Sequence, residues 1–119
     1  MADEARVETA AMRRARRRID AIDRRIVELL NERSRLGLDV GAAKAADRRP
    51  VRDAHREREV LLRVAAANAG PLPQADLLAV YRRLMVATRR LEIGARRHAR
   101  EARRRELEGL RAERGRSPG

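Results

Sequence analysis

Residues 16–44 read RRRIDAIDRRIVELLNERSRLGLDVGAAK, and this stretch decides the fold. Its large apolar residues recur on alternating steps of three and four, the spacing that places side chains on one face of an α-helix. No proline interrupts the pattern, so the sequence predicts one long first helix over about residues 5–46. The apolar face of this helix consists of Ile19, Ile22, Ile26, Leu29, Leu36 and Val40.

Prolines mark the other boundaries of the predicted elements. Pro50 follows two arginines, and Pro71 and Pro73 come close together further on. A proline ends or begins a helix because it lacks a backbone N–H. We therefore expect a second helix over about residues 50–68 and a third over about 73–112. Apolar residues do not alternate with the period of two that a strand needs, so the predicted class is all-α with three helices per chain.

The apolar face of the first helix is longer than one compact chain can cover. A helix of about 40 residues is about 60 Å long at 1.5 Å per residue. Two arrangements remain open: a long coiled coil, and an intertwined helical homodimer in which the first helices pair. Both arrangements predict that the chain associates with itself.

The composition of the chain limits its chemistry. Its 119 residues include 30 basic and 18 acidic ones, a formal net charge of +12, and no cysteine. A disulfide framework, a thiolate nucleophile and a cysteine zinc site are excluded. No apolar stretch approaches the ~20 residues of a membrane span, and the N-terminus lacks the apolar core of a signal peptide. We therefore expect a cytoplasmic protein, with neither a cofactor nor a bound metal.

Two cations lie on the predicted apolar face of the first helix. Arg33 fills one position of the three-and-four series, and a buried guanidinium is costly unless an anion pairs with it. Lys44 is the single lysine among the 30 basic residues. It lies 11 positions after Arg33, on the same side of the helix and about 16 Å further along. Spacing alone leaves two interpretations open: both cations flank one small dianion, or each pairs with a carboxylate of a neighbouring helix.

Polar residues also share faces on the second and third helices. Asp53, Arg56 and Glu57 have the i, i+3, i+4 spacing of neighbours near the start of the second helix. This pattern alone is typical of a surface ion-pair cluster. Thr88 and Glu92, an i, i+4 pair, lie on the apolar side of the third helix. A carboxylate there would face the same interior as the two cations of the first helix.

Arg16 precedes Arg33 by 17 positions, which is about 25 Å of helix and too far for one small ligand. If Arg16 is functional, it serves a second, symmetry-related site. A two-fold dimer with antiparallel first helices would provide such a site. The alternative is an ordinary surface arginine, since Arg16 lies in the basic run RRARRR of residues 13–18.

Four stretches of the chain, taken together, resemble the all-helical chorismate mutase family. The resemblance covers about residues 10–95 and keeps the order and separations of the stretches. It implies an intertwined helical homodimer with two active sites, which converts chorismate to prephenate on the route to phenylalanine and tyrosine. The stretches are RRRIDAID (16–23) leading to LLNER (29–33), VGAAK (40–44), PVRDAHRE (50–57) and LMVATRRLE (84–92).

The resemblance implies which residues bind the substrate carboxylates. Arg33, with Arg16 from the other subunit, is expected to bind the two carboxylates. Arg56 and Thr88 are expected to support this binding, and the family often has serine at the position of Thr88. Two guanidinium groups can each form a bidentate contact with a carboxylate.

The resemblance also implies the catalytic pair. Lys44 and Glu92 are expected to address the ether oxygen of the substrate, and Asp53 and Glu57 its ring hydroxyl. Relatives have glutamine or glutamate at position 92, and a glutamate can donate a hydrogen bond only when protonated. The rearrangement needs no nucleophile, which fits a chain without cysteine or a Ser/His/Asp set.

The resemblance places a chorismate mutase domain at residues 1–95. Residues 96–119 lie outside it. Their many arginines, with glutamates between them, predict a charge-paired helical extension of the third helix. The last residues, from Arg114 onward, are expected to be a disordered tail.

Three alternatives to a self-sufficient mutase remain open. An isochorismate pyruvate lyase has the same fold and much of the cationic site, although the Asp53–Arg56–Glu57 cluster favours the mutase. A non-catalytic basic helical module could bind nucleic acid, but the single aromatic residue, Tyr81, argues against base stacking. In the third alternative, the tail of a mutase docks a partner enzyme of the same pathway.

Overall fold

The computed structural model of the chain describes residues 7–116, and these residues form three helices. The helices are α1 (Ala10–Ala46), α2 (Ala54–Ala67) and α3 (Gln74–Gly115). No strand occurs within this part of the chain, so the predicted all-helical class with a long first helix is confirmed. The chain divides into two compact units, residues 1–35 and residues 36–119, and α1 runs through the boundary.

The start of α1 is fixed by a side-chain cap. The hydroxyl oxygen Oγ1 of Thr9 accepts a hydrogen bond from the backbone N–H of Met12 at 3.1 Å, which satisfies one of the unpaired donors of the first turn. The helix therefore begins at Ala10, five residues later than predicted. Of the predicted first turn, residues 5 and 6 lie outside the part that the structure describes.

The end of α1 is a tight turn before Pro50. Arg48 adopts the left-handed backbone conformation with φ of 56°, and the N–H of Arg49 donates to the carbonyl of Lys44 at 2.8 Å. A residue in this conformation often closes a helix, because it lets a later N–H reach a free carbonyl of the last turn. The turn starts the loop that leads to α2.

The apolar face of α1 in the first unit is exposed to solvent. Ile19 is 53% exposed, Ile22 57% and Ile26 45%. The sequence predicted that one compact chain cannot cover this face, and in the single chain the face is open. Apolar exposure on this scale along a helix is typical of a surface that a partner covers.

Helices α2 and α3 pack against each other in the second unit. Among the described residues Met85 is the buried large apolar side chain, and Leu61 and Val64 of α2 and Leu77 and Leu84 of α3 are half-buried. Thr88 is half-buried and Glu92 is buried, as expected for the apolar side of α3, whereas Leu91 beside Glu92 is exposed.

Asp53 sets the start of α2. Its carboxylate oxygen Oδ1 accepts a hydrogen bond from the N–H of Arg56 at 3.0 Å, so Asp53 is the N-cap and the helix begins at Ala54. The sequence placed this start at Pro50, four residues earlier. Pro50, Val51 and Arg52 instead form the end of the loop from α1.

α3 continues through Ala95 without interruption and ends at Gly115. The helical extension is therefore confirmed, but the predicted disorder is wrong for Arg114 and Gly115, which are helical. Residues 117–119 of the predicted tail lie outside the described range. No helix within residues 7–116 has both the length and the apolar character needed to cross a membrane.

Candidate active site

Lys44 of α1 and Glu92 of α3 form an ion pair inside the second unit. The ammonium Nζ of Lys44 lies 2.9 Å from the carboxyl oxygen Oε2 of Glu92. Only 16% of the Lys44 side chain and 6% of the Glu92 side chain are exposed. The same ammonium donates a hydrogen bond to the backbone carbonyl of Val51 at 2.7 Å. The loop between α1 and α2 thus helps to aim Lys44 at Glu92.

The ion pair leaves hydrogen-bonding capacity unused. Oε2 of Glu92 is buried, and its polar contact among the described residues is the ion pair with the Lys44 ammonium. The Lys44 ammonium has three N–H donors. A polar atom of a ligand can therefore bind to it without disrupting a fully hydrogen-bonded network.

Two glycines bring the end of α1 very close to α3. A Cβ on Gly37 would lie 2.8 Å from Cγ2 of Thr88, and a Cβ on Gly41 would lie 2.8 Å from Cγ of Glu92. Both pairs are four residues apart on their helices, so the contacts repeat after one turn. A larger side chain at either position would force the Thr88 or Glu92 side chain to shift or the helices to separate, so these glycines permit the separation at which Lys44 meets Glu92.

Replacing Gly41 with alanine is expected to destabilise the protein by about 1–3 kcal/mol, because the new methyl group overpacks against Glu92. Gly94→Ala is the matched control. It places the same methyl group in open space on α3 and should stabilise the helix by about 0.5–1 kcal/mol. Urea unfolding of both variants measures the difference. Equal stability of the two variants would contradict the close approach.

Glu57 of α2 is held between two cations. It pairs with Arg89 of α3 through Oε1, and its other oxygen Oε2 lies 3.7 Å from Nε of Arg52. The Glu57 side chain is 19% exposed. The pair with Arg89 joins α2 to α3 and fixes the carboxylate near the start of α2.

Asp53 and Arg56 lie on the exposed side of the α2 start. The Asp53 side chain is occupied by its capping bond, and the Arg56 guanidinium pairs with Glu59 one turn later. The hydrogen bond from Arg56, with the charge of Arg63 added, holds the pKa of Glu59 below its usual value. Before Arg56 can bind a substrate carboxylate, it has to exchange this partner.

The remaining predicted residues occupy two units. Thr88 on α3 is half-buried, and its hydroxyl donates to the carbonyl of Leu84 at 3.0 Å. Arg33 and Arg16 belong to the first unit, where Arg33 is half-buried and Arg16 is exposed and paired with Glu8. Their 17 positions along α1 correspond to about 25 Å at the rise of an ideal helix.

Sequence reasoning missed four contributors to the site. Arg89 and the carbonyl of Val51 leave no local pattern, because each meets its partner only through the tertiary fold. Gly37 and Gly41 did carry a signal: two glycines four positions apart inside a helix indicate a close helix approach. Among the described residues, no three histidine, aspartate or glutamate side chains lie close enough together to hold a metal ion.

Comparison with known proteins agrees with this geometry. The family model described as chorismate mutase type II matches residues 15–93. The solved chorismate mutase (Form II) of Thermus thermophilus superposes with a TM-score of 0.67 at 30% identity, covering 69% of this chain and 93% of that chain. The fold is therefore that of an all-helical chorismate mutase domain. The chain belongs to the chorismate mutase type II family.

Longer curated proteins are also similar. The bifunctional chorismate mutase/prephenate dehydratase of Aquifex aeolicus is 34% identical over 80 residues, which is 64% of this chain and 22% of that protein. The enzyme of the same description from Escherichia coli K12 is 47% identical over 49 residues, 41% of this chain and 13% of that protein. The chain thus matches about a fifth or less of the length of these relatives.

Proposed function

We propose that the protein is a chorismate mutase, which rearranges chorismate to prephenate in the cytoplasm as a step of phenylalanine and tyrosine biosynthesis. The observation that carries the proposal is the buried pair of Lys44 and Glu92, 2.9 Å apart, in a chain of the chorismate mutase type II family. Negative charge develops on the oxygen of a C–O bond as the bond breaks, and a compact cation beside a second polar group can stabilise this charge.

The chemistry follows from charge and shape. In the rearrangement one C–O bond breaks while one C–C bond forms within the same molecule, so no group has to attack the substrate. The protein has to hold a compact conformer and stabilise the negative charge that develops on the ether oxygen. Lys44 supplies a point charge at this oxygen. Glu92 supplies a hydrogen bond when its carboxyl group carries a proton.

The other site residues are proposed to bind the ends of the substrate. Arg33 and Arg16 of the partner subunit bind the two carboxylates, with Arg56 and Thr88 in support. Asp53 and Glu57, the carboxylates near the start of α2, bind the ring hydroxyl in this proposal. Arg89 and Arg52 keep Glu57 in place as a hydrogen-bond acceptor.

A homodimer with paired first helices is part of the proposal. Its support is the exposed face of α1, where Ile19, Ile22 and Ile26 are each about half exposed in the single chain. Covering apolar surface gains about 25 cal/mol per Å², so a continuous face along a long helix can hold two chains together. The hypothesis of a partner enzyme of the same pathway draws its support from the bifunctional relatives.

Loss of chorismate absorbance with purified full-length protein tests the activity. Isochorismate in a parallel assay distinguishes the lyase alternative, since that enzyme would release pyruvate. Lys44→Ala should abolish the reaction, whereas Arg105→Ala, on the exposed part of α3, should leave it unchanged. Prephenate formation that is unaffected by Lys44→Ala would overturn the proposal.

The shared active site predicts complementation between two inactive variants. Arg16→Ala and Arg33→Ala proteins should each lose activity, because each dimer lacks one carboxylate ligand in both sites. After mixing and subunit exchange, a heterodimer carries one site with neither substitution and one with both. We expect the exchanged mixture to regain up to about a quarter of wild-type activity, since half of the dimers are then mixed and each has one intact site. No recovery despite demonstrated exchange would contradict the shared site.

A further inference from the structure

An open cavity of about 580 Å³ lies beyond the proposed active site, between the end of α1 and the part of α3 that follows the family match. Its volume is within the ~300–1,000 Å³ range of small-molecule sites. Alanine and proline side chains form its apolar wall, and arginines form the rest. We call it the arginine cavity. Its arginines are Arg48, Arg49, Arg96, Arg100 and Arg103.

No carboxylate of the described residues lines the arginine cavity. Arg49 alone has an acidic partner, Asp47, whose Oδ2 lies 2.6 Å from its Nε. Arg48, Arg96, Arg100 and Arg103 form no ion pair with any residue in the range 7–116. Four positive charges thus face a concave surface without compensation, which raises the local concentration of anions.

Arg96 provides a second, independent observation. Its Nη2 donates to the backbone carbonyl of Arg49 at 2.7 Å, which holds the side chain against the cavity wall. Its Nε is buried and has no hydrogen-bond acceptor among the described residues. A buried guanidinium N–H without an acceptor is costly, so Arg96 holds an unsatisfied donor within the wall of the cavity.

We propose that the arginine cavity binds a small polyanion with two phosphoryl groups. Guanidinium groups bind phosphate oxygens through paired hydrogen bonds, and several arginines around one pocket match a ligand of three to four negative charges. The proposal concerns a site outside the Lys44–Glu92 pair. It does not depend on the mutase activity.

The arginine cavity shares a loop with the proposed active site. Arg49 receives the Arg96 hydrogen bond on its carbonyl and donates its own N–H to the carbonyl of Lys44. Val51, two residues later, accepts from the ammonium of Lys44. A ligand that contacts Arg96 is therefore connected, through Arg49, to the loop that positions Lys44.

Calorimetric titration of the full chain with pyrophosphate, at fixed ionic strength and without chorismate, tests the site. We expect saturable binding of one pyrophosphate per chain, with inorganic phosphate binding more weakly. The variant Arg100→Gln/Arg103→Gln should bind at least about tenfold more weakly, which corresponds to about 1.4 kcal/mol. The matched control is Arg97→Gln/Arg104→Gln. It removes the same two charges from α3 outside the cavity and should bind within about twofold of wild type.

Two outcomes would overturn the proposal. Pyrophosphate that fails to saturate shows that the cavity is not a site. Equal weakening by both double variants shows that the whole basic surface attracts anions, as in non-specific nucleic-acid binding. Circular dichroism of both variants verifies that they keep the wild-type helix content. Because the titration contains no chorismate, its result is independent of whether the protein is a mutase.

Discussion

Lys44→Arg is expected to lower the turnover of chorismate at least about tenfold, or about 1.4 kcal/mol in the barrier, while the fold is retained. The Lys44 ammonium contacts Glu92 at 2.9 Å and Val51 at 2.7 Å in a space where the side chain is only 16% exposed. A guanidinium keeps the charge but is planar and larger. It cannot make both contacts from the same point and would occupy the place of the ether oxygen.

Steady-state kinetics measure this effect as a fall in kcat. Arg105→Lys, the reverse exchange on the exposed part of α3, is the control and should have wild-type kinetics. Thermal unfolding distinguishes a catalytic loss from a folding defect. Near-normal turnover in Lys44→Arg would mean that position 44 needs only a positive charge, and the proposed role of the ammonium would be wrong.

Glu92→Gln is expected to change the pH dependence of the reaction rather than abolish it. A carboxyl group donates a hydrogen bond only while it is protonated, so the proposed role of Glu92 predicts that wild-type activity declines as the pH rises. An amide donates at every pH. The variant should therefore retain activity at low pH and lose the alkaline decline, so that at high pH it exceeds the wild type.

Profiles of kcat against pH for the two proteins test this expectation. Glu101→Gln removes the same charge from an exposed position of α3 and should reproduce the wild-type profile. If the profiles of the wild type and Glu92→Gln superimpose, Glu92 does not contact the ether oxygen. The buried position of Glu92, with 6% of its side chain exposed, makes a general surface-charge effect a poor explanation of any difference.

The sequence predicted the helices well because their signals are local. The three-and-four spacing and the prolines define three helices, and the structure has three within the range it describes. The errors lie where a capping side chain sets a helix boundary or where tertiary packing sets which residues are buried. Asp53 binds the Arg56 N–H and delays α2 to Ala54. In α3 Glu92 is buried as predicted, whereas its neighbour Leu91 is exposed, because α3 packs through tertiary contacts that a repeat of apolar residues does not specify.

The candidate site was predictable only in part. Spacing placed Lys44 on a side of α1 where an anionic partner was needed, and the structure supplies Glu92 as that partner. Spacing could not choose between this pairing and a shared ligand. Glu57 and Arg89 lie 32 positions apart, so no helical repeat relates them. Such pairs become visible only when the packing of α2 on α3 is known.

Residues 96–115 become helical because α3 continues into them without interruption. Starting a helix is costly, whereas adding residues to an existing helix is not. The packed turns from Met85 to Arg96 provide the nucleus, and the exposed turns after Arg96 propagate from it. The helix therefore continues beyond the residues that pack against the rest of the chain. Protection of backbone amides from hydrogen exchange should decrease gradually from Glu92 to Gly115, because these turns open from the C-terminal end.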